Sequence, residues 1–259
     1  MTHSARKSAA LVTSMSSSRE HGSIIPQHFH CRGQLLYAVE GHIRVYTSDH
    51  IWIIPPHCAL WIPAYYEHSV LSYGQVCLNS AMVEETAAQA LGQHCFLVRM
   101  SNLLRELVLR LNHPKTDDDL TNQPNNDQRQ ALDQALQLLI FNEIQQSHNF
   151  SLDIPWSRDT RLIQICSELI DHPDSQKDLD AWADQIGTSS RTLIRLFQKE
   201  MGLNFRHWLQ RMHVVLALGY LSEHLSISQI AGKLGYQSSS AFTAMFKKQL
   251  GAPPSHFRK

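Results

Sequence analysis

Two stretches near one end of this chain repeat each other, and that repeat constrains the fold more than any other feature. Residues 182–202 read WADQIGTSSRTLIRLFQKEMG, and residues 230–251 read IAGKLGYQSSSAFTAMFKKQLG. Ala183 aligns with Ala231 and Gly187 with Gly235, 48 residues apart. After one inserted residue, Ser189, Ser190, Leu193, Phe197, Lys199 and Gly202 align with Ser238, Ser239, Phe242, Phe246, Lys248 and Gly251, 49 apart. Each copy has the same physical grammar. A short helix (179–186 or 227–234) carries an alanine where another helix can cross closely. Glycine then supplies the left-handed backbone of a sharp turn. Serine accepts the first unpaired N–H groups of a second helix, so Ser189, Ser190 and Ser239 are the expected caps. That second helix is apolar at Leu193, Leu196 and Phe197, or at Phe242, Met245 and Phe246. One face packs and the other is left for a partner.

Two such units joined by a helix over 205–221 predict a pair of helix-turn-helix motifs, in which each second helix enters a DNA major groove. The charge total seems to oppose this. The 259 residues carry 23 basic and 23 acidic side chains, a balance that excludes polybasic and acidic disordered chains. The distribution reverses the impression. Residues 1–155 hold 10 basic and 14 acidic groups; residues 156–259 hold 13 and 9. From Ile186 onward the count is 10 basic against 2 acidic, Glu200 and Glu223. Double-stranded DNA is therefore the expected partner of this end.

The last hundred residues resemble the DNA-binding domain of the AraC/XylS family of transcription regulators. The resemblance is carried by Arg191 through Phe197, Gly202, Ala217, Leu221, Ile230-Ala231 and Leu234-Gly235-Tyr236. It continues through Ser240, Phe242, Phe246-Lys247, Gly251 to Pro254, and Phe257-Arg258. It implies a linker helix holding two recognition helices for adjacent major grooves. It also places residues: Arg191, Ile194 and Arg195 face bases on the first helix, with Thr192 secondary and Lys199 at phosphate. Arginine suits guanine because it donates two hydrogen bonds to O6 and N7. Ser240, Thr243 and Ala244 fill the corresponding face of the second helix. Ala244 stands where some family members carry arginine, so this helix should read less sequence and anchor more backbone through Lys247 and Lys248. Leu193, Phe197, Phe242 and Phe246 are expected core.

The first part of the chain has β texture. Short apolar runs at 35–39, 43–46, 51–54, 60–62 and 76–83 are separated by Glu40-Gly41, Ser48-Asp49, Pro55-Pro56 and Pro63, which suggests a barrel or sandwich. His28 and His30 share one face of any strand they occupy. Together with Gln34, Gly41 and the segment Pro63-x-Tyr65-x-x-His68, they resemble the two motifs of the cupin barrel. In metal-binding cupins the matching positions hold three histidines and a glutamate; here they are His28, His30, His68 and Gln34. His57 and Tyr65 replace glycines of the second motif. Three imidazoles suit Zn, Ni, Cu or Fe, whereas neutral glutamine is a poorer ligand. Contact with a small organic effector and purely structural roles are the alternatives. Tyr37, Trp52, Trp61, Tyr65 and Tyr66 are candidate pocket aromatics, with plain core packing as the alternative.

After residue 87 the period changes. Helices are expected over 96–111, stopped by Pro114, and over 130–144, where Leu132, Leu136, Leu139 and Ile140 form a stripe. The stripe serves packing within the domain or a homodimer seam. The expected fold is multidomain α+β. It comprises a tail over 1–20, a cupin-like barrel with appended helices over 21–147, a linker over 148–157 and an all-α DNA-binding domain over 158–259. No apolar run is long enough for a membrane span, and no signal-peptide core is visible. Five scattered cysteines with no Cys-x-x-Cys pair indicate free thiols in a reducing cytoplasm. The resulting expectation is a cytoplasmic, non-enzymatic transcription regulator, an activator by family tendency, that recruits RNA polymerase and responds to a small molecule or metal. A direct metal sensor, and a cupin dioxygenase or isomerase fused to a DNA-binding module, are its rivals.

Overall fold

The computed structural model describes residues 10–54, 57–112, 126–147, 149–150 and 153–257. Its contacts divide the chain into two units: Met1–Ile43 with His57–Ser151, and Arg44–Pro56 with Leu152–Lys259.

The strands are β1 (Val12–Arg19), β2 (Ile24–His28), β3 (Gly33–Tyr46), β4 (His50–Ile53), β5 (Cys58–Ile62), β6 (His68–Val83), β7 (Phe96–Arg99), β8 (Asn149–Phe150) and β9 (Ile154–Pro155). They pair in the order β1–β6–β3–β5–β7–β8, with β2 also on β6. Among the described residues no pairing joins β8 back to β1. The sheet is open, and the expected closed barrel is not formed. Closure requires every outer strand to find a partner along its length, and β8 is two residues long.

Three local expectations change. The serine-rich stretch expected as a tail is a strand, paired in antiparallel register from Val12↔Val83 to Arg19↔Val76. Serine is a weak strand former by itself; here the long partner β6 supplies the ladder. Residues 1–9 lie outside the described residues. Phe96–Arg99 opens no helix; it pairs with β5 as Trp61↔Phe96 through Cys58↔Arg99. The helix there is α2 (Asn102–Asn112), preceded by α1 (Glu85–Gln89) and followed by α3 (Asn126–Gln146). Pro114 and most of the expected polar loop fall outside the described residues. Finally, Glu40-Gly41 does not end a strand. Gly41 has φ +75°, and a Cβ there would lie 2.4 Å from the Gln75 carbonyl oxygen, so glycine lets β3 continue past β6.

The core of this unit joins sheet and helices: Val12, Leu35, Tyr37, Ala59, Trp61, Val98, Leu104, Val108, Ile140 and Ile144 form one buried cluster. The α3 stripe splits. Ile140 and Ile144 are buried, Leu136 packs partly against them, and Leu132, Leu138 and Leu139 stay exposed.

The second unit is mainly helical: α4 (Thr160–Asp171), α5 (Leu179–Gln185), α6 (Ser190–Met201), α7 (Phe205–Ser222), α8 (Ile227–Lys233) and α9 (Ser239–Leu250). Each starts on a side chain that accepts a backbone N–H: Asp159, Asp178, Ser189, Asn204, Ser226 and Ser238. The core contains Trp182, Leu193, Phe197, Trp208, Ile230, Phe242 and Phe246, all essentially inaccessible. Burial of each stabilises by about 1.5–3 kcal/mol. Ala183 and Ala231 are buried at the expected helix crossings.

This unit begins earlier than residue 158. The segment expected as a linker is pinned within it. Ile154–Pro155 pairs with β4 through Ile51↔Ile154 and His50↔Pro155. The Trp208 indole donates to Pro155 O at 2.8 Å, and Arg211 meets Asp153 at 2.6 Å. The hairpin of residues 44–53 is held by Arg44 to Asp171 at 3.0 Å, and by His50 to Asp49 and Asp153 at 3.0 and 3.1 Å.

Candidate nucleic-acid interface and histidine cluster

The repeat builds two similar surfaces. At each turn the glycine is left-handed, Gly187 at φ +67° and Gly235 at φ +74°. Ser189 accepts from Thr192 N and Ser238 from Ala241 N, so these two are the caps. Ser190 and Ser239 are instead the first helical residues. The serine whose backbone is extended just before the helix makes the cap; Ser190 sits one step later and hydrogen-bonds to Asp180, tying α5 to α6.

On α6, Arg191, Ile194, Arg195 and Lys199 stand exposed on the side opposite Leu193 and Phe197. Ile194 is 51% exposed. Thr192 is half-buried, with its hydroxyl 3.0 Å from Ser189 Oγ. Lys199 pairs with Glu200 at 3.2 Å yet keeps four-fifths of its side chain in solvent. On α9, Ser240, Ala244, Lys247 and Lys248 are exposed, and Thr243 is half-buried. Both helices thus present the predicted residues outward. The first offers arginines; the second offers small side chains with lysines in its last turn.

The sheet unit brings the three histidines together. β2 and β6 set His28 opposite His68, and His30 follows two residues on. Ring centroids are 4.3 Å apart for His28 and His68, 4.8 Å for His28 and His30, and 5.6 Å for His30 and His68. One nitrogen from each lies within 4.8 Å of the others. His28 Nδ1 donates to Pro26 O at 2.8 Å, and His68 Nδ1 donates to Tyr66 O at 2.9 Å. A carbonyl only accepts, so Nδ1 carries the proton in both. The neutral ring then has a lone pair on Nε2. Burial pushes His30 down to about 4, and repulsion from any proton gained by His28 acts in the same direction; burial also takes His68 to about 4. Both are neutral near pH 7. His30 Nε2 and His68 Nε2 are buried without a hydrogen-bond partner. Gln34 is buried as well; its amide donates to Ser80 Oγ at 3.0 Å, and its Oε1 has no partner.

The carbonyls of Pro26 and Tyr66, which fix the histidine tautomers, were not foreseen, because no side-chain pattern encodes a backbone acceptor. The two glycine replacements are informative. His57 and Tyr65 keep left-handed backbones, at φ 59° and 62°, a strain of about 1–2 kcal/mol each for side chains with a Cβ. Three of the predicted pocket aromatics are core instead: Tyr37, Trp52 and Trp61 are at most 4% exposed. Large rings at inward sheet positions fill space before they line any. Tyr65 and Tyr66 do line a cleft of about 260 Å³, with Pro63, Glu85 and Gln89.

Comparison with known proteins settles the family. The profile of a helix-turn-helix domain matches residues 182–259. The HTH-type transcriptional regulator NimR of Escherichia coli K12 is 31% identical over 234 residues, covering 90% of this chain and 81% of that protein. The chain belongs to the AraC/XylS family of transcription regulators. RipA of Corynebacterium glutamicum is 34% identical over 93 residues, and the activator RhaR of Salmonella dublin 31% over 109. This chain spans 28% and 38% of those two proteins. Among solved structures, ToxT from Vibrio cholerae covers 95% of this chain and 97% of its own, at 10% identity and a TM-score of 0.39. The regulator is accordingly a DNA-binding protein whose helix-turn-helix motifs lie in the helical unit. No helix among the described residues is long and apolar enough to cross a membrane.

Proposed function

We propose that this regulator switches its occupancy of DNA when a ligand binds at His28, His30 and His68, and that the ligand is a transition metal ion. The observation that carries this is a cluster of three imidazoles in which the Nε2 atoms of His28 and His68 carry lone pairs and those of His30 and His68 are buried without partners. His28 and His68 commit their protons to carbonyls, and nothing among the described residues donates to the buried Nε2 atoms. Neighbouring lone pairs repel unless something electropositive lies among them. Nitrogens bound to one tetrahedral zinc stand about 3.3 Å apart, so the observed spread within 4.8 Å closes with small ring rotations. The carbonyl partners are the kind that orient metal-ligating histidines. A bound ion would supply positive charge to the site and tie β2 to β6. Zn, Ni, Cu or Fe suits three neutral imidazoles, with Gln34 as a weak neutral oxygen donor.

A small organic effector with N–H or O–H donors would satisfy the same acceptors. On DNA, Arg191, Ile194 and Arg195 read bases, with Thr192 secondary because it is half-buried. Ser240, Thr243 and Ala244 add little sequence information, and Lys199, Lys247 and Lys248 hold phosphates. A cytoplasmic homodimer using the exposed Leu132, Leu138 and Leu139, activation as in the relative named the transcriptional activator RhaR, and contact with RNA polymerase complete the reading. The test combines metal analysis of the purified protein with footprinting of the promoter nearest its gene, before and after chelation. Stoichiometric metal, and a footprint that changes on stripping, are expected. Equal metal content and footprints in wild type, His28→Ala and His68→Ala would sink the metal reading.

A further inference from the structure

His213 lies in the middle of α7 and is 6% exposed. Unlike His30 and His68, it has both ring nitrogens engaged. Nε2 is 3.0 Å from Pro173 O, and Nδ1 is 3.1 Å from the Tyr236 hydroxyl. Since the carbonyl only accepts, Nε2 holds the proton and Nδ1 accepts from Tyr236. Burial keeps the imidazole at about 4 and pushes the Tyr236 phenol up to about 12, so the pair holds these roles at neutral pH.

The two partners come from loops next to different helix-turn-helix motifs. Pro173 lies between α4 and α5, on the way into the first helix-turn-helix. Tyr236 follows the glycine that makes the turn of the second. The same loops meet again beside the histidine. Gln176 Nε2 donates to Asp174 O at 2.9 Å and to Gly235 O at 3.1 Å. The approach is so close that a Cβ on Gly235 would lie 2.6 Å from Gln176 Nε2 and 2.9 Å from Asp174 O. From Tyr236 the contact continues edge-on to Phe242, a fully buried residue of α9, at 5.7 Å. Apolar packing lets helices slide by small amounts, whereas buried hydrogen bonds specify direction and are costly to leave unmade.

We propose that the Pro173–His213–Tyr236 link sets the angle between the two recognition helices, and through it the base-pair spacing between the two elements of the DNA site. His213 and Tyr236 are positioning residues; they act through α9 rather than on DNA. The proposal rests on both α6 and α9 engaging major grooves. One base pair turns a groove element by about 34° around the duplex, so a fixed angle makes spacing a specificity determinant.

The full-length protein selects its site from random duplex DNA. Versions of that site with one base pair added or removed between its elements are then measured by fluorescence anisotropy. Wild type should bind both altered sites ~10-fold or more weakly, a loss of about 1.4 kcal/mol. Tyr236→Phe, which keeps the ring, and His213→Leu should shrink that penalty below ~3-fold while weakening the parent site. His213→Gln can donate to Pro173 and accept from Tyr236, and should restore the wild-type penalty. Circular dichroism verifies folding, and Tyr236→Phe carries the test if His213→Leu is unstable. A wild-type penalty in folded Tyr236→Phe overturns the proposal. A selected site with a single element, or wild type indifferent to spacing, overturns the two-groove reading and the proposal with it.

Discussion

His68 in the sheet unit and His213 in the helical unit are both buried, and burial lowers both to about 4. They differ in what their nitrogens meet. His213 donates to one group and accepts from another, so its ring is complete. His68 donates once and leaves Nε2 buried and unpartnered, beside two more imidazoles. A low histidine pKa therefore says only that the ring is out of water. The unmet lone pair is what separates the proposed ligand site from the fully hydrogen-bonded ring of His213.

Four measurements bear on that contrast. The largest effect is expected for His213→Ala, which opens a cavity and strands the Pro173 carbonyl and the Tyr236 hydroxyl. It should cost roughly 4 kcal/mol in chemical denaturation. His68→Ala removes a ring that lacks one of its partners and should cost well under half as much. Equal losses would erase the distinction.

Acid should act on both. Each folded pKa of about 4 lies below the unfolded value of about 6.5. The unfolded chain then binds more protons, so stability falls as pH drops from about 6.5 to about 4. The limit is on the order of 3 kcal/mol per histidine. Metal should protect only the sheet share of that loss, measured by melting with and without zinc. Equal zinc protection of His68→Ala and wild type would refute the ligand-site half of the contrast.

If the helical unit is finished, its exposed residues serve binding and not stability. Arg195→Ala should leave melting unchanged and weaken specific DNA binding by ~1–3 kcal/mol, with relaxed preference at one base position. Lys247→Ala should weaken all sequences alike and lower the salt slope by about one. Equal loss by Arg195→Ala on specific and random DNA would assign that residue to phosphate.

The smallest effect concerns the caps. Ser238→Ala should cost ~1 kcal/mol, and Ser239→Ala within ~0.5 kcal/mol of nothing. The reverse order would restore the cap position read from the sequence.

The helical unit was legible because its signals are local. Glycine, the serine cap and apolar residues three and four apart all act within one turn of chain. Even there the cap slipped by one in the second copy, since neighbouring serines are chemically equal and only backbone dihedrals tell them apart. The sheet unit was legible in patches. β1 was missed because its serines gain strand character only from β6. β7 was missed because its apolar run joins the helical pattern that follows. The histidine set was visible through the likeness of His28, His30 and His68 to the cupin motifs, but the carbonyls that fix the tautomers were not.

By itself the sequence determined the repeat, the basic end, the outward face of each recognition helix and the three histidines. The first three are set by periodicity and charge, which are properties of neighbouring residues; the histidines were placed by their likeness to the cupin motifs. Tertiary structure alone decided that the sheet stays open and that residues 44–56 belong with the helical unit. It also decided that Tyr37, Trp52 and Trp61 are core, and that one buried histidine is complete while another is not. Each of those outcomes depends on groups far apart in the chain, such as Arg44 with Asp171 or Pro173 with His213 and Tyr236. Which distant donor meets which acceptor is fixed only when the whole core packs.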